Sequence, residues 1–293
     1  MKKKKPTLVT KTTGALVPFS EEKLRLSMQR SGAEESTIDD VVEEIKPKLY
    51  QGISTKKIYR LAFGLLKNRS KHIAAKYKLK TAIMELGPSG YPFENFIGEI
   101  MKHQGYSTKV SQIVPGECVN HEIDVLAEQD HTWCMVECKY HNQAGTMSDV
   151  KIPLYIQARF KDVEKKWKEL PGHDKINHQG WVVTNTKFTI DAIKYGTCAG
   201  LHMLSWDYPK GKGLKDLIDS SGLYPLTCLT TLTKIEKQRL LDNRVVLCSD
   251  IIENQSILQK LGIKGTRVIS IIKEAERLCS EFLVNNNRHD ETE

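Results

Sequence analysis

The chain has 293 residues, 40% of them hydrophobic, with 44 lysines and arginines against 36 aspartates and glutamates, for a net charge of +8. That length and apolar content suit two or three compact units. No apolar run is long enough to cross a membrane, and Lys2 to Lys5 are followed by only Leu8 and Val9, so neither a membrane span nor a signal peptide is expected. Seven scattered cysteines, an odd number, point to reduced thiols and a soluble, cytoplasmic protein.

The first 88 residues carry nearly all the positive excess, net +10, while residues 89 to 215 are neutral and residues 216 to 293 net −2. Lys2 to Lys5 read as a basic arm that attracts phosphate without reading sequence. The segment Val9-Thr-Lys-Thr-Thr-Gly-Ala-Leu-Val-Pro-Phe-Ser-Glu-Glu-Lys23 resembles the opening of an ATP-cone, a regulatory nucleotide-binding module with a β-hairpin bearing V-x-K-R-(D/N)-G. Val9, Lys11 and Gly14 fill that pattern, Thr12 stands where arginine is expected, Phe19 matches the apolar anchor and Lys23 the helix lysine. Ile53-Ser-Thr55 resembles the later point where a threonine opens a helix, and His72 to Tyr77 the final helix. The resemblance implies an α+β module over residues 1 to 88 that binds ATP or dATP through Val9, Lys11, Thr12, Lys23 and Thr55 and acts by changing oligomeric state. No G-x-x-x-x-G-K-[ST] loop occurs, so binding without hydrolysis is expected. A basic helical domain contacting DNA directly is the competing reading.

Phe93, Phe96, Ile97, Ile100 and Met101 recur at helical spacing, which predicts an amphipathic helix ahead of Gly105. His121 to Ala127 and Thr132 to Lys139 read as two strands joined by a short polar turn. A turn centred between Asp130 and His131 sets Asp124 opposite Glu137. Strand alternation brings Glu137 and Lys139 out on one face with Met135, leaving Cys134, Val136 and Cys138 on the other. Two carboxylates side by side call for a cation, and hard oxygen ligands favour Mg²⁺ or Mn²⁺. Such an ion activates water and stabilises phosphoryl charge, with Lys139 positioning the water, so phosphodiester hydrolysis is the natural chemistry. The bland alternative is a solvated charged hairpin face.

Pro153 to Asp162 predicts a second helix, Gly180 to Val183 an apolar strand, Asp191 to Gly200 a helix, and Leu201 to Trp206 another strand. This order predicts parallel crossovers completing an α/β sheet. With Tyr91 to Tyr106, His121-Glu-Ile-Asp124 and Val136-Glu-Cys-Lys139, residues 90 to 208 resemble the Mrr-like branch of the PD-(D/E)xK nucleases. Glu137 stands where that branch often carries glutamine. The resemblance implies a restriction-endonuclease-like core over residues 89 to 213, DNA as substrate, and a role in restriction or antiviral defence. It adds Glu94, from the helix before the hairpin, and Gln157, from the helix after it, to Asp124, Glu137 and Lys139.

Leu214 to Leu283 gives short amphipathic helices, and Leu261-Gly-Ile-Lys-Gly265 resembles a helix-hairpin-helix turn flanked by Lys264 and Arg267; a protein-binding helical bundle is the alternative. Residues 284 to 293 read as a polar, disordered tail. A zinc set of Cys118, His121, Cys134 and Cys138 is a minor alternative. His103, His121, His131, His141 and His173 read as surface or hairpin residues, with His141 near enough to Lys139 to assist. The expected whole is a Mg²⁺- or Mn²⁺-dependent endonuclease, with two alternatives: a non-catalytic nucleotide-sensing DNA binder, and a nuclease for RNA or branched DNA.

Overall fold

The computed structural model describes residues 6–11 and 13–287, so the Lys2 to Lys5 arm, Thr12 and residues 288–293 of the tail lie outside the described residues. The N-terminal module begins with β1 (Leu8–Thr10), β2 (Leu16–Pro18), α1 (Glu21–Gln29) and α2 (Glu35–Ile45). It continues through β3 (Ile53–Ser54), α3 (Thr55–Arg69), α4 (Lys71–Tyr77) and α5 (Leu79–Ile83). β1 and β2 form the expected hairpin, with Gly14 taking the left-handed turn conformation at φ 84°. β3 joins β1 in parallel. Thr55 opens α3 as its first residue, and Ser54 caps the helix, its hydroxyl accepting from the Lys57 amide at 3.2 Å. Ile38, Val41, Val42 and Ile45 recur at helical spacing and bury one face of α2 against Val9, Met28 and Ile53, so the module has its own core.

The central unit runs from α6 (Tyr91–His103) through β4 (Ser107–Pro115), β5 (Asn120–Gln129), β6 (Thr132–Lys139) and β7 (Met147–Ser148) to α7 (Lys151–Lys168). β8 (Asn177–Thr184), β9 (Lys187–Phe188), α8 (Ile190–Cys198) and β10 (His202–Leu204) complete it. The sheet order is β10-β8-β6-β5-β4, antiparallel from β4 to β6 and parallel from β6 to β10, and β7 pairs with β9 apart from it. The crossovers β6-α7-β8 and β8-α8-β10 are those the sequence predicts. Strand β4 is an addition, a polar alternating edge. Phe93, Phe96 and Ile97 of α6 pack on Val125, Cys134 and Val136, while Ile156, Phe160 and Val163 of α7 cover Ile123, Met135 and Val182, so helices sandwich the sheet.

The C-terminal region is helical: α9 (Leu214–Ser221), α10 (Lys234–Asp242), α11 (Cys248–Glu253), α12 (Ser256–Lys260) and α13 (Thr266–Asn287). Its core, built on Leu226, Leu240, Ile251 and Leu278, is continuous with the α6 side of the sheet. The final helix carries on through residues 284–287, which the sequence reading assigns to the tail. The tight turn between α12 and α13 uses Gly262 and Gly265, both at positive φ. Arg267 beside it is committed to Glu236 at 2.6 and 2.9 Å, which leaves Lys264 alone of the two basic flanks expected there.

The N-terminal module is tied to the rest by specific bonds. Lys67 and Lys78 donate to the carbonyls of Thr230 and Thr227, and the Thr227 hydroxyl donates to the Ala82 carbonyl at 2.8 Å. Tyr140, next to Lys139, donates to the Met84 carbonyl at 2.6 Å.

Candidate active site

The β5–β6 hairpin pairs Val125 with Val136, Leu126 with Met135 and Gln129 with Thr132, the register that a turn at Asp130 and His131 requires. Asp130 takes positive φ there, which aspartate tolerates better than most residues. One step past Val125↔Val136 the ladder opens. On the other side of β5, Val110↔Val125 and Gln112↔Ile123 pair but Ser111 does not face Asp124 in the ladder, and Ser111 has φ 53°. At this interruption Ile123 packs toward α7 and Val125 toward α6, although simple alternation would put them on one face. The kink leaves the Asp124 carboxylate free to accept the Cys138 amide at 2.7 Å.

Glu137 is buried, and its Oε2 lies 2.6 Å from Nη1 of Arg159 on α7. Its Oε1 is buried without a partner, as is Oε1 of Gln157. Burial, reinforced by the charge of Asp124, pushes Glu137 up to about 8 despite the arginine. Burial, then Asp124 and Glu122, push Glu94 up to about 7, and burial raises Asp124 as well, opposed by the Cys138 amide. The mutual effects place Glu94, Asp124 and Glu137 in one electrostatic cluster. Lys139 is exposed at the end of the strand. A cleft of about 190 Å³ is lined by Glu137, Cys138, Lys139, Val182 and the α7 residues Ile152, Tyr155 and Ile156; Asp124, Glu94 and Gln157 lie outside its walls.

The donor set suits one hard divalent cation. Asp124 bonds the Cys138 amide next to Glu137 and its charge is felt by Glu137, which keeps one orphaned buried oxygen. Asp124 and Glu137 would hold the ion. Among the described residues no three His, Cys, Asp or Glu side chains converge as a ready metal cage, so the zinc set does not assemble. Cys134 is buried against Gln179 and Cys118 is exposed, and all seven cysteines are free thiols.

Two histidines differ from the surface reading. His121 is largely buried, its Nε2 2.7 Å from Asp162 Oδ2 and its Nδ1 accepting from Arg159 Nε at 3.4 Å. His141 is engaged by Ser148 and by Asn185 on both sides of its backbone, and burial lowers its pKa. Sequence reasoning missed Arg159 and Asp162, and it gave His121 only as a surface or hairpin residue or a zinc candidate. The available signal was Arg159 itself, a charge three residues from Ile156 and four from Val163, at the spacing of the buried face of α7.

In the N-terminal module, a cavity of about 230 Å³ is lined by Val9, Lys11, Phe19, Lys23, Thr55, Tyr59 and Tyr77, among others. It thus gathers every nucleotide-contact residue expected from sequence that the structure describes; Thr12 lies outside the described residues. The rings of Tyr59 and Tyr77 stack at 5.0 Å.

A mixed five-stranded sheet clad by helices, with an acidic pair and a lysine where β5 and β6 part, defines a restriction-endonuclease-like domain, and the family described as Restriction endonuclease matches residues 87–207. A second family, described as AF1548-like, C-terminal, matches residues 224–279. The chain is 36% identical over 187 residues, 62% of its length and 99% of the relative's, to an uncharacterized protein of Archaeoglobus fulgidus. It belongs to the family of that archaeal protein. A crystal structure of the protein of unknown function AF1548 superposes with TM-score 0.54 at 34% identity, covering 66% of this chain and all of that one. No helix among the described residues is long and apolar enough to cross a membrane.

Proposed function

We propose that this protein is a metal-dependent endonuclease acting on DNA, controlled by an adenine nucleotide bound to its N-terminal module. The observation that carries the nuclease reading is the opened ladder at Asp124, which turns that carboxylate toward the β6 terminus bearing Glu137 and Lys139 within a restriction-endonuclease domain. When bound, Mg²⁺ or Mn²⁺ would supply Lewis acidity and a more acidic water. The Cys138 amide holds Asp124 in place, and the Lys139 ammonium, free in solvent at the cleft, orients the attacking water and the phosphate. Glu94, raised to about 7, is suited to exchanging a proton near neutrality. Gln157 adds a buried amide on the helix that covers the site. Restriction of foreign DNA is the biological setting this chemistry fits.

The test is plasmid cleavage by the purified full chain with and without Mg²⁺ or Mn²⁺. Cleavage should require the metal and fall at least about a thousandfold in Asp124→Ala, Glu137→Ala and Lys139→Ala, with melting curves showing folded protein. Full activity in a folded Glu137→Ala protein would end the catalytic assignment. DNA binding without cleavage under any metal would favour the nucleotide-sensing binder, and preference for RNA or branched DNA would redirect the substrate. The regulatory reading rests on the cavity that brings Lys11, Lys23, Val9 and Thr55 together, two lysines suited to polyphosphate charge beside apolar walls suited to a base.

A further inference from the structure

We propose that Arg159 is a positioning residue for the metal site: its guanidinium keeps one oxygen of Glu137 occupied and thereby presents the other to the cation. This inference rests on the nuclease reading of Asp124 and Glu137 and names a residue that reading leaves unused.

The guanidinium is held from several sides. Nη1 meets Glu137 Oε2 at 2.6 Å, Nη2 donates to the Glu122 carbonyl, Nε donates to His121 Nδ1 at 3.4 Å, and the Tyr155 ring lies 5.5 Å away. Because an arginine Nε can only donate, His121 Nδ1 is the acceptor and its Nε2–H points at Asp162. Asp162 is anchored in turn by the amides of Cys118 and Val119 at 2.9 and 3.3 Å. An arginine tied to β5, to the β4–β5 loop through His121 and Asp162, and to its own helix has little freedom to follow Glu137. Glu137 is therefore aimed by Arg159, with Oε1 buried and unpartnered. Supporting groups of this kind commonly change metal affinity ten- to a hundredfold when removed. A competing role is available to the same geometry, in which the guanidinium occupies the cation's place and must be displaced. The two roles predict opposite signs.

The experiment is calorimetric titration of Mn²⁺ into chelator-stripped full-length protein without DNA, for wild type, Arg159→Met, Arg159→Lys and Glu137→Gln, with melting curves on each. Positioning predicts Mn²⁺ binding weakened about tenfold or more in Arg159→Met, with partial recovery in Arg159→Lys. Unchanged or tighter binding in Arg159→Met overturns it, tighter binding identifying the guanidinium as a competitor. His121→Phe removes the Nε acceptor without touching Glu137; it should weaken binding by a smaller factor, which decides the matter if Arg159→Met does not fold. A wild type that takes up no Mn²⁺, or Glu137→Gln binding as wild type does, removes the metal site itself and the positioning role with it.

Discussion

Replacing Glu137 by Gln should make the metal-free protein more resistant to unfolding, and the gain should grow with pH. Glu137 sits at about 8 in the fold, against 4.5 for an unperturbed glutamate, because burial and Asp124 outweigh Arg159. Between those values the folded state binds a proton that the unfolded state has lost. Stability therefore falls as pH rises from about 4.5 toward 8, at roughly 1.4 kcal/mol per pH unit, and levels off above the folded value. Glutamine mimics the protonated acid and carries no such dependence. The stability difference between Glu137→Gln and wild type should widen by about 3 kcal/mol between pH 5 and pH 7. Urea unfolding in the presence of chelator at both pH values measures it, and the difference between the two gaps removes any constant effect of the substitution. A gap that does not change with pH would show that Glu137 is ionised in the fold at an ordinary pKa, held by Arg159, and would refute the claim that burial and Asp124 dominate the site.

Glu274, buried in α13, accepts from the amides and hydroxyls of both Thr230 and Thr231 at 2.6 to 2.9 Å, so Glu274→Ala should cost roughly 3 to 5 kcal/mol in urea unfolding by leaving two amides without their acceptor. Gly180→Ala would set a methyl 2.7 Å from Leu201 Cδ2 and 2.9 Å from Phe160 Cγ, where β8 meets α7, and should cost about 1 to 3 kcal/mol by the same measurement. Lys11→Ala with Lys23→Ala should abolish calorimetric binding of ATP and dATP to the full chain, along with any nucleotide effect on cleavage rate or sedimentation, while basal cleavage with Mg²⁺ is retained; wild-type protein that binds neither nucleotide would return the module to the direct DNA-contacting reading.

The bond from Tyr140 to the Met84 carbonyl gives the regulatory proposal a physical route. Met84 follows α5 of the N-terminal module, and its sulfur also accepts from Asn185, whose amide oxygen takes the His141 N–H. The end of the strand bearing Glu137 and Lys139 is thus fastened to the segment leaving the N-terminal module. A shift of α4 and α5 on nucleotide binding would be felt one residue from Lys139.

The amino-acid sequence by itself determined the elements whose order is local. The hairpin register follows from the two-residue polar turn at Asp130 and His131, because the turn's centre fixes which residues of His121 to Ala127 and Thr132 to Lys139 stand opposite one another. The amphipathic helix of Phe93 to Met101 and the crossover order after Lys139 are legible for the same reason: hydrophobic period reports which side of an element is buried. Tertiary structure decided what depends on distant segments meeting. Strand β4 escaped notice because a polar edge strand has a weak pattern, yet its break at Ser111 is where Asp124 leaves the ladder. Arg159 reads locally as one more basic residue on a helix. It becomes the partner of Glu137 only when the crossover lays α7 over β6, and His121 and Asp162 join it only when the β4–β5 loop folds back onto the same helix. Charge pairing acts over a few ångströms in space whatever the separation along the chain, and no short-range pattern encodes that distance.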